Sequence, residues 1–575
     1  MSPTLDFRNT NSLWGSVLAE TLVRCGVTHA VVSPGSRSTP LTLAFAAHPQ
    51  LEAIPVLDER SAAFFALGLA KRSRRPVVLL CTSGTAGANY YPAVIEAQES
   101  GVPLLVITAD RPPEMRACHS GQTIDQQKLY GGHVNFYHEL AVPEAKLPLL
   151  AYLRQTVAHA VGRTLRPGPG PVHLNAPFRD PLPPVEDGSA RGLAAEITAD
   201  FFAHLAPPAP GVSGVTVWQR PVTTRGLIVA GADDPADPAA YAAKVRELSA
   251  ALGWPVVADG ISVLRHHAAP DMPVITAYDA FLRNEARARA LTPRTVLCLG
   301  TWPTSKVLRQ WLERSRAEIV LVSPRVDNRD ALHGRTRHLP AGAETLAVEK
   351  AGAVDPAWLA AWRDAEAAAT AVLRTAAREG GGVFEGDVVT ALHAALPPET
   401  PVLVASSMPV RDVEYFWPAN DARRRLYFNR GANGIDGTLG TALGLAHDGP
   451  PTVLLTGDLA FLHDANGLLL QPKLRGSLTV VLINNRGGGI FEHLPVAQFD
   501  PPFEEFFATP QAVDFAKLCA AHGVAHVAVR GLTQLTALLA EPPMPGIRVL
   551  EVATDRKRDA ALRKKLFAAA AKSAG

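Results

Sequence analysis

The sequence predicts an α/β protein of three consecutive domains, each an open parallel sheet covered by crossover helices. Three observations predict it. Short apolar runs of strand length alternate along the chain with Ala/Leu-rich stretches of helix length. Each run ends in a turn bearing Gly, Ser or Asp. The 575 residues exceed what one core takes, at roughly 150 residues per domain.

The first domain, residues 1–185, carries HAVVS, AIPVL, PVVLLC and PLLVITA, which lack polar alternation, as strands buried on both faces do. The pattern breaks at PLPPVEDGSARG (181–192) and in APPAPGVSGVTVWQRPVTTRG (206–226), which read together as an interdomain linker. The second domain, 186–350, resumes with GLIVAGADDPA, WPVVADG, TVLCLG and EIVLVSP. An Ala-rich helix around Trp358 to Arg378 follows. The third domain, 351–575, has PVLVASS, RLYFNRGANG, PTVLLTGD and SLTVVLINN. No internal repeat aligns the three domains.

Composition narrows the function. Hydrophobic residues make up 47% and charged residues 19%, too apolar for a disordered chain. Fifty-six Lys and Arg against 54 Asp and Glu leave +2, without the one-sign excess that phosphate-backbone binding needs, so no nucleic-acid partner is expected. Five scattered cysteines without a CxxC pair indicate neither a disulfide framework nor zinc. With no signal peptide and no long apolar run, a cytoplasmic protein without membrane insertion is expected. The basic stretch Arg556 to Lys572 reads as a solvated terminal helix rather than a membrane-surface one.

In open parallel sheets ligands bind beyond the carboxyl ends of the strands. There, LLTGDLAFLHDANGL and VVLINNRGGGIF set Asp458 and Asn485 twenty-seven residues apart, one crossover unit. The Asp458 carboxylate, the Asn485 amide oxygen and a carbonyl near Gly487 supply the oxygen donors a hard divalent ion takes, leaving coordination positions for a diphosphate. Nearby glycines admit phosphate to the backbone, and the helix opening at Asp458 turns its positive end toward it. Turn and cap chemistry accounts for either pair singly, but less well for both at matched strand ends. In DERSAAFFALGLAK, Glu59 follows a strand and opens an apolar helix. It reads either as a proton-exchanging carboxylate or as an ordinary acidic residue complementing the helix dipole.

Glu59, the GTAG loop from Gly84 to Gly87 and the late Gly-Asp and Asn-Asn pairs resemble the thiamine diphosphate-dependent enzymes of the decarboxylase and acetolactate synthase type. SPGSRSTPL (33–41), DERSAAFFALGLAK (58–71), TADRPPE (108–114), NRGANGIDG (429–437), GDLAFLHD (457–464) and NNRGGGIFEHLP (484–495) are similar to motifs of one branch, the carboligases of menaquinone biosynthesis. Gly-Asp-Leu in place of the wider Gly-Asp-Gly favours that branch.

The resemblance implies domains of the thiamine diphosphate-binding type: an N-terminal pyrimidine-binding domain, a Rossmann-like middle domain without nucleotide, and a C-terminal domain for the diphosphate and metal. It implies that Glu59 bonds the aminopyrimidine and promotes deprotonation of the thiazolium carbon, which makes the cofactor an electron sink. Gly84, Ser407, Gly457 and Ile490 would join Glu59 around the cofactor, with Ile435 beneath it. Asp458, Asn485 and Gly487 would hold Mg2+ or Mn2+. The implied substrates, 2-oxoglutarate and isochorismate, are dianions, which planar bidentate guanidinium groups suit. Their implied contacts are Ser36, Arg37, Arg111, Gln122, Lys306, Ser407, Arg411 and Arg430, with Phe491 and Leu494 beside Ile490 as an apolar wall. Arg37, Gln122 and Arg411 would act with Glu59 in catalysis. Because this superfamily draws glutamate and metal site from different subunits, a dimer or tetramer with interfacial active sites is implied.

The chain departs from the branch at Ser120-Gly121, where many relatives carry Ala-Asn, and at Lys306-Val307, where Lys-Arg is frequent; Arg309 is the candidate replacement. GLIVAGADDPA resembles a dinucleotide turn, but without a complete GxGxxG a lost site is expected. His266-His267 reads as a polar surface pair. Two alternatives stay open: another 2-oxo acid decarboxylase or acetohydroxyacid synthase-type enzyme, and a non-catalytic cofactor-binding homologue.

Overall fold

The structure, a computed structural model, describes residues 5–208, 214–219, 223–325, 327–349, 353–375 and 381–574. Three six-stranded sheets follow one another, parallel at every pairing among the described residues.

The first sheet contains β1 (His29–Val32), β2 (Glu52–Pro55), β3 (Val77–Cys81), β4 (Leu104–Asp110), β5 (Phe136–Glu139) and β6 (Val172–Pro177), in the order β2-β1-β3-β4-β6-β5. Every residue of β3, β4 and β6 is buried, which explains the apolar run of β3 and the start of β4; β4 also buries Thr108 and Asp110, and β6 buries the polar His173 and Asn175. Helices Thr10–Arg24 and Leu147–Arg163 seal the core through Leu13, Val17, Leu153 and Val157.

After β7 (Thr216–Gln219), the second sheet contains β8 (Gly226–Ala230), β9 (Val256–Ala258), β10 (Val274–Ile275), β11 (Thr295–Leu299), β12 (Glu318–Val322) and β13 (Arg335–Leu339). Its order, β10-β9-β8-β11-β12-β13, is that of doubly wound dinucleotide-binding sheets. A separate β14 (Leu346–Glu349) pairs with β7. The third sheet contains β15 (Pro401–Val404), β16 (Arg425–Phe428), β17 (Thr452–Gly457), β18 (Ser477–Asn484), β19 (Ala525–Val529) and β20 (Gly546–Ala553). Its order, β16-β15-β17-β18-β20-β19, repeats that of the first sheet strand for strand.

By packing, the chain forms two compact units: Met1–Gly211 with Asn429–Gly449 and His463–Gly476, and Val212–Phe428 with Pro450–Leu462 and Ser477–Gly575. The expected linker is not free chain throughout. Leu182 and Ala190 of its first stretch are buried in the first core, as are Leu193, Ile197 and Phe202 between the two stretches. Residues 209–213, 220–222 and 350–352, around the expected boundaries, lie outside the described residues, as do 376–380 at the end of the Ala-rich helix.

That helix, Pro356–Thr375, covers the middle sheet with Trp358, Trp362 and Leu373. The C-terminal helix Arg556–Ser573 joins it, and this corrects the expectation of a solvated helix: Asp559, Arg563, Leu566, Phe567 and Ala570 are buried. The many basic residues hide this stripe in the sequence. The histidine pair is corrected too. His266 is 1% exposed and meets the edge of Trp417, the ring centroids 5.4 Å apart, while His267 is half-buried. Desolvation, with the charge of Arg265 adding to it, holds His266 well below the usual histidine range. No helix among the described residues is long and apolar enough to cross a membrane.

Candidate active site

All the residues chosen from the sequence lie at the carboxyl end of a strand or in the connection leaving it. In the first sheet, Ser36 and Arg37 follow β1, Glu59 follows β2, Gly84 follows β3, and Arg111 and Gln122 follow β4. Asp58 caps the helix Glu59–Ser73, accepting the Ser61 N–H at 2.8 Å, which places Glu59 in its first turn. Glu59 is half-buried, and its charge adds to the burial that raises Cys81 and Tyr90.

Four of these residues are held by nearby backbone and side chains. Arg37, 4% exposed, donates its backbone N–H to Thr82 Oγ1 at 3.2 Å and Nη1 to the Phe178 carbonyl at 2.9 Å. Gln122 Nε2 donates to the Ser83 carbonyl at 3.0 Å, and Ser83 Oγ returns a bond of 3.0 Å to the Gln122 carbonyl. Gly84 takes φ +87°, the left-handed region that glycine allows, and donates its N–H to Gln126 Oε1 at 2.9 Å. Arg111 Nη2 reaches the Gly121 carbonyl at 3.0 Å. Buried Gln126 also donates Nε2 to Asn175 Oδ1 at 3.0 Å. Gln126 and Asn175 carry no motif that separates them from ordinary core amides, and sequence reading missed both. A Cβ on Gly121 would meet nothing within 4 Å, so packing does not force that departure.

Arg430 and Ile435 leave β16 in the loop before the helix Thr438–Ala446. Glu96, also absent from the sequence reading, accepts the Gly431 and Ala432 N–H groups at 3.0 and 2.7 Å and fixes that loop.

In the second sheet, Lys306 opens the helix Lys306–Ser315 and is exposed. Val307 packs partly buried against the middle core. Burial first, then the nearby charge of Arg309, lowers Arg411, so Arg309 lies on the Arg411 side. The dinucleotide-like turn is used for packing: a Cβ on Gly231 would lie 1.5 Å from the Thr301 carbonyl oxygen, and the Thr301 N–H donates to the Ala232 carbonyl at 3.0 Å.

In the third sheet, Ser407 occupies the turn from β15 into the helix Met408–Phe416 with φ +73° and ψ −130°, a strained conformation for a residue with a Cβ. Arg411 Nη1 donates to the Ser407 carbonyl at 2.6 Å. Gly457 ends β17 and Asp458 begins the next helix; Asn485 directly follows β18. Asp458 Oδ1 accepts the Leu459 N–H at 2.7 Å and Oδ2 the Gly487 N–H at 2.9 Å. Burial pushes the Asp458 carboxyl up to about 6, against the pull of these donors. Gly487 has φ +133°, and a Cβ there would lie 2.3 Å from the Ala508 carbonyl oxygen.

Asn485 Oδ1 is buried without a hydrogen-bond partner, while Nδ2 donates to Glu385 Oε1 at 2.7 Å. A Cβ on Gly457 would meet nothing within 4 Å. A carboxylate, an unpartnered amide oxygen and open space at a helix start fit a hard divalent ion carrying a diphosphate. The third sheet thus brings Asp458, Asn485 and Gly487 together. Ile490 and Phe491 are half-buried in the following segment, Phe491 edge-on to Phe507 at 5.8 Å, and Leu494 is 42% exposed.

Three family profiles match along the chain: the N-terminal TPP binding domain of thiamine pyrophosphate enzymes over residues 14–129, the middle domain of thiamine pyrophosphate over 207–404, and the C-terminal TPP binding domain over 410–551. The chain is 54% identical to a 2-succinyl-5-enolpyruvyl-6-hydroxy-3-cyclohexene-1-carboxylate synthase of Synechococcus sp. (strain JA-3-3Ab), covering 98% of this chain and 97% of that one. It is 49% identical to the protein of the same name from Trichodesmium erythraeum (strain IMS101), over 97% of this chain and 98% of that one. With thiamine pyrophosphate domains in sequence and this identity over nearly full length, the chain belongs to the 2-succinyl-5-enolpyruvyl-6-hydroxy-3-cyclohexene-1-carboxylate synthase family of thiamine pyrophosphate enzymes.

Proposed function

We propose that the protein decarboxylates 2-oxoglutarate and joins the remaining four-carbon succinyl unit to isochorismate by 1,4-addition. The products are 2-succinyl-5-enolpyruvyl-6-hydroxy-3-cyclohexene-1-carboxylate and CO2. The observation that carries the reading is the oxygen-donor cage at the ends of β17 and β18, in a chain of this family. Thiamine diphosphate, when bound, supplies the electron sink that loss of CO2 from a 2-oxo acid needs.

Asp458, Asn485 and Gly487 would hold Mg2+ or Mn2+, with Gly457 leaving room for the diphosphate. Gly84, Ser407, Ile435 and Ile490 would complete the cofactor's contacts. Glu59 would hydrogen-bond the aminopyrimidine and hold the proton that moves there; its place in the first turn keeps the carboxylate presented. Ser36, Arg37, Arg111, Gln122, Lys306, Ser407, Arg411 and Arg430 would bind the substrate carboxylates and orient the reacting carbons. Arg411 suits this because few partners satisfy its half-buried guanidinium, so an arriving anion repays its desolvation. Phe491 and Leu494 would exclude water beside Ile490.

Five unpaired cysteines support a reducing, cytoplasmic setting. A dimer or tetramer with active sites at the subunit interface is part of the reading; Leu57, 65% exposed just before Glu59, is a side chain a second copy would cover.

The test incubates the protein with 2-oxoglutarate, isochorismate, thiamine diphosphate and Mg2+ and follows loss of isochorismate absorbance. Consumption of pyruvate without a ring acceptor would replace this reading with a simple decarboxylase or synthase. Cofactor binding without product would replace it with a non-catalytic homologue.

A further inference from the structure

The cage residue Asn485 is held by a chain of buried charges from elsewhere in the sequence. Asn485 Nδ2 donates to Glu385 Oε1 at 2.7 Å, and Thr554 Oγ1 donates to the same oxygen at 3.3 Å. Glu385 Oε2 accepts from Arg563 Nη2, and Arg563 donates Nε and Nη2 to the two oxygens of Asp412 at 2.8 and 2.6 Å. The Glu385 N–H donates to Asp559 Oδ2 at 3.0 Å. Glu385, Asp412, Asp559 and Arg563 are each at most 1% exposed.

An amide is two-sided: turned by half a revolution it offers a donor where it offered an acceptor. Both oxygens of Glu385 accept here, Oε1 from Asn485 and Thr554 and Oε2 from Arg563, so the Asn485 amide settles with its N–H2 toward Glu385 and Oδ1 on the opposite side. That oxygen is the one buried without a partner. The absent Cβ of Gly489, which would lie 2.8 Å from Nδ2, leaves the amide room to adopt this pose. Arg563, itself held by Asp412, bonds Glu385 Oε2 and keeps the carboxyl group stationary.

We infer that Glu385 is a positioning residue for the metal site, setting the Asn485 amide so that its oxygen, not its nitrogen, faces the cation. The inference rests on the proposed ligand role of Asn485 and adds to it the group that decides which amide atom is presented. Outer partners of this kind are worth about 10–100-fold in metal affinity.

The experiment measures Mg2+ affinity in the presence of thiamine diphosphate by isothermal titration calorimetry, with thermal melts of each ligand-free variant alongside. Glu385→Gln keeps size and shape. The introduced amide gives its oxygen to Arg563 and turns its N–H2 to Asn485, which swings its own nitrogen into the cage. Affinity is expected to fall about 10–100-fold. Adding Asn485→Asp gives the introduced amide an acceptor again and the cation an oxygen, so the double variant is expected to recover most of the loss.

Glu385→Gln binding like the wild type would overturn the inference, and so would a loss that Asn485→Asp does not recover. Should Glu385→Gln not melt cooperatively, Asn485→Asp alone carries the test. It sets two carboxylates against each other, and at least roughly tenfold weaker Mg2+ binding is expected; unchanged or tighter binding overturns the inference. Asn485→Ala separates this from the underlying reading, since unchanged Mg2+ affinity there would mean that Asn485 is no ligand at all.

Discussion

The first and third sheets share one strand order, but the loop holding Gly84 and Gln122 and the loop holding Asn485 are fixed by different groups. Beyond the first, Gly84 and Gln122 are set by neutral groups, the Gln126 amide and the Ser83 hydroxyl and carbonyl, while Arg111 donates its N–H to buried Asp110, which pairs with Arg116 at 2.9 Å. Beyond the third, Asn485 is set by a buried run of charges, Glu385, Arg563 and Asp412. The same topology therefore serves two tasks. A loop that meets a ligand through hydrogen bonds needs shape, whereas one that takes a doubly charged ion needs its donors aimed and its counter-charges fixed.

The sharpest way to break the comparison is to remove one carboxylate from each side. Glu59→Gln is expected to retain Mg2+-dependent cofactor binding and lose about 10²–10⁴-fold in kcat. Asp458→Ala is expected to abolish that binding, read by calorimetry. If Glu59→Gln lost binding and Asp458→Ala kept it, the division of labour would be reversed.

Stability offers the next contrast. Arg563→Met strands Glu385 and Asp412 in the interior, and about 3–5 kcal/mol of unfolding free energy is expected to disappear. Gln126→Leu removes a neutral hub and should cost about 1–3 kcal/mol. Urea melts that ranked the two the other way would show that the amide hub, not the buried charge run, carries more of the stability.

A smaller effect probes a buried carboxylate in the first unit. Asp464 accepts the Gly440 N–H at 2.6 Å, and burial pushes it up to about 7. A folded value above the unfolded 3.8 favours the protonated form, so this contribution is complete below 3.8 and is lost as pH rises through about 7. Asp464→Asn is therefore expected to gain in melting temperature over the wild type as pH rises from about 5 to about 8; a gap that narrowed with pH would refute the sign. The smallest change is expected from Gly121→Asn. Its side chain enters open space, so the melting temperature should stay put, while the KM for either dianion reports whether the added amide makes a contact.

Much of the fold was legible because parallel strands buried on both faces leave unbroken runs, as in β3 and the start of β4. The shared order of the first and third sheets was not, since strand order depends on which faces pack and leaves no residue repeat. The motif residues were legible because their chemistry is local: Asp58 caps the helix that presents Glu59, and Gly487 sits where a Cβ would collide. Glu385, Arg563, Glu96 and Gln126 were not. Their partners lie from about 40 to more than 300 positions away, and a buried ion pair resembles two surface charges until the chain is folded. His266 shows the converse, a polar residue whose setting only tertiary structure reveals.

The turn after β8 has a practical consequence. Its glycine brings main chain against main chain at Thr301, so any side chain placed there would collide with the Thr301 carbonyl oxygen rather than with a side chain that could turn aside. Substituting larger residues at this turn would leave that backbone contact in place. Redesign there must begin by rerouting the backbone between β11 and the helix that Lys306 opens.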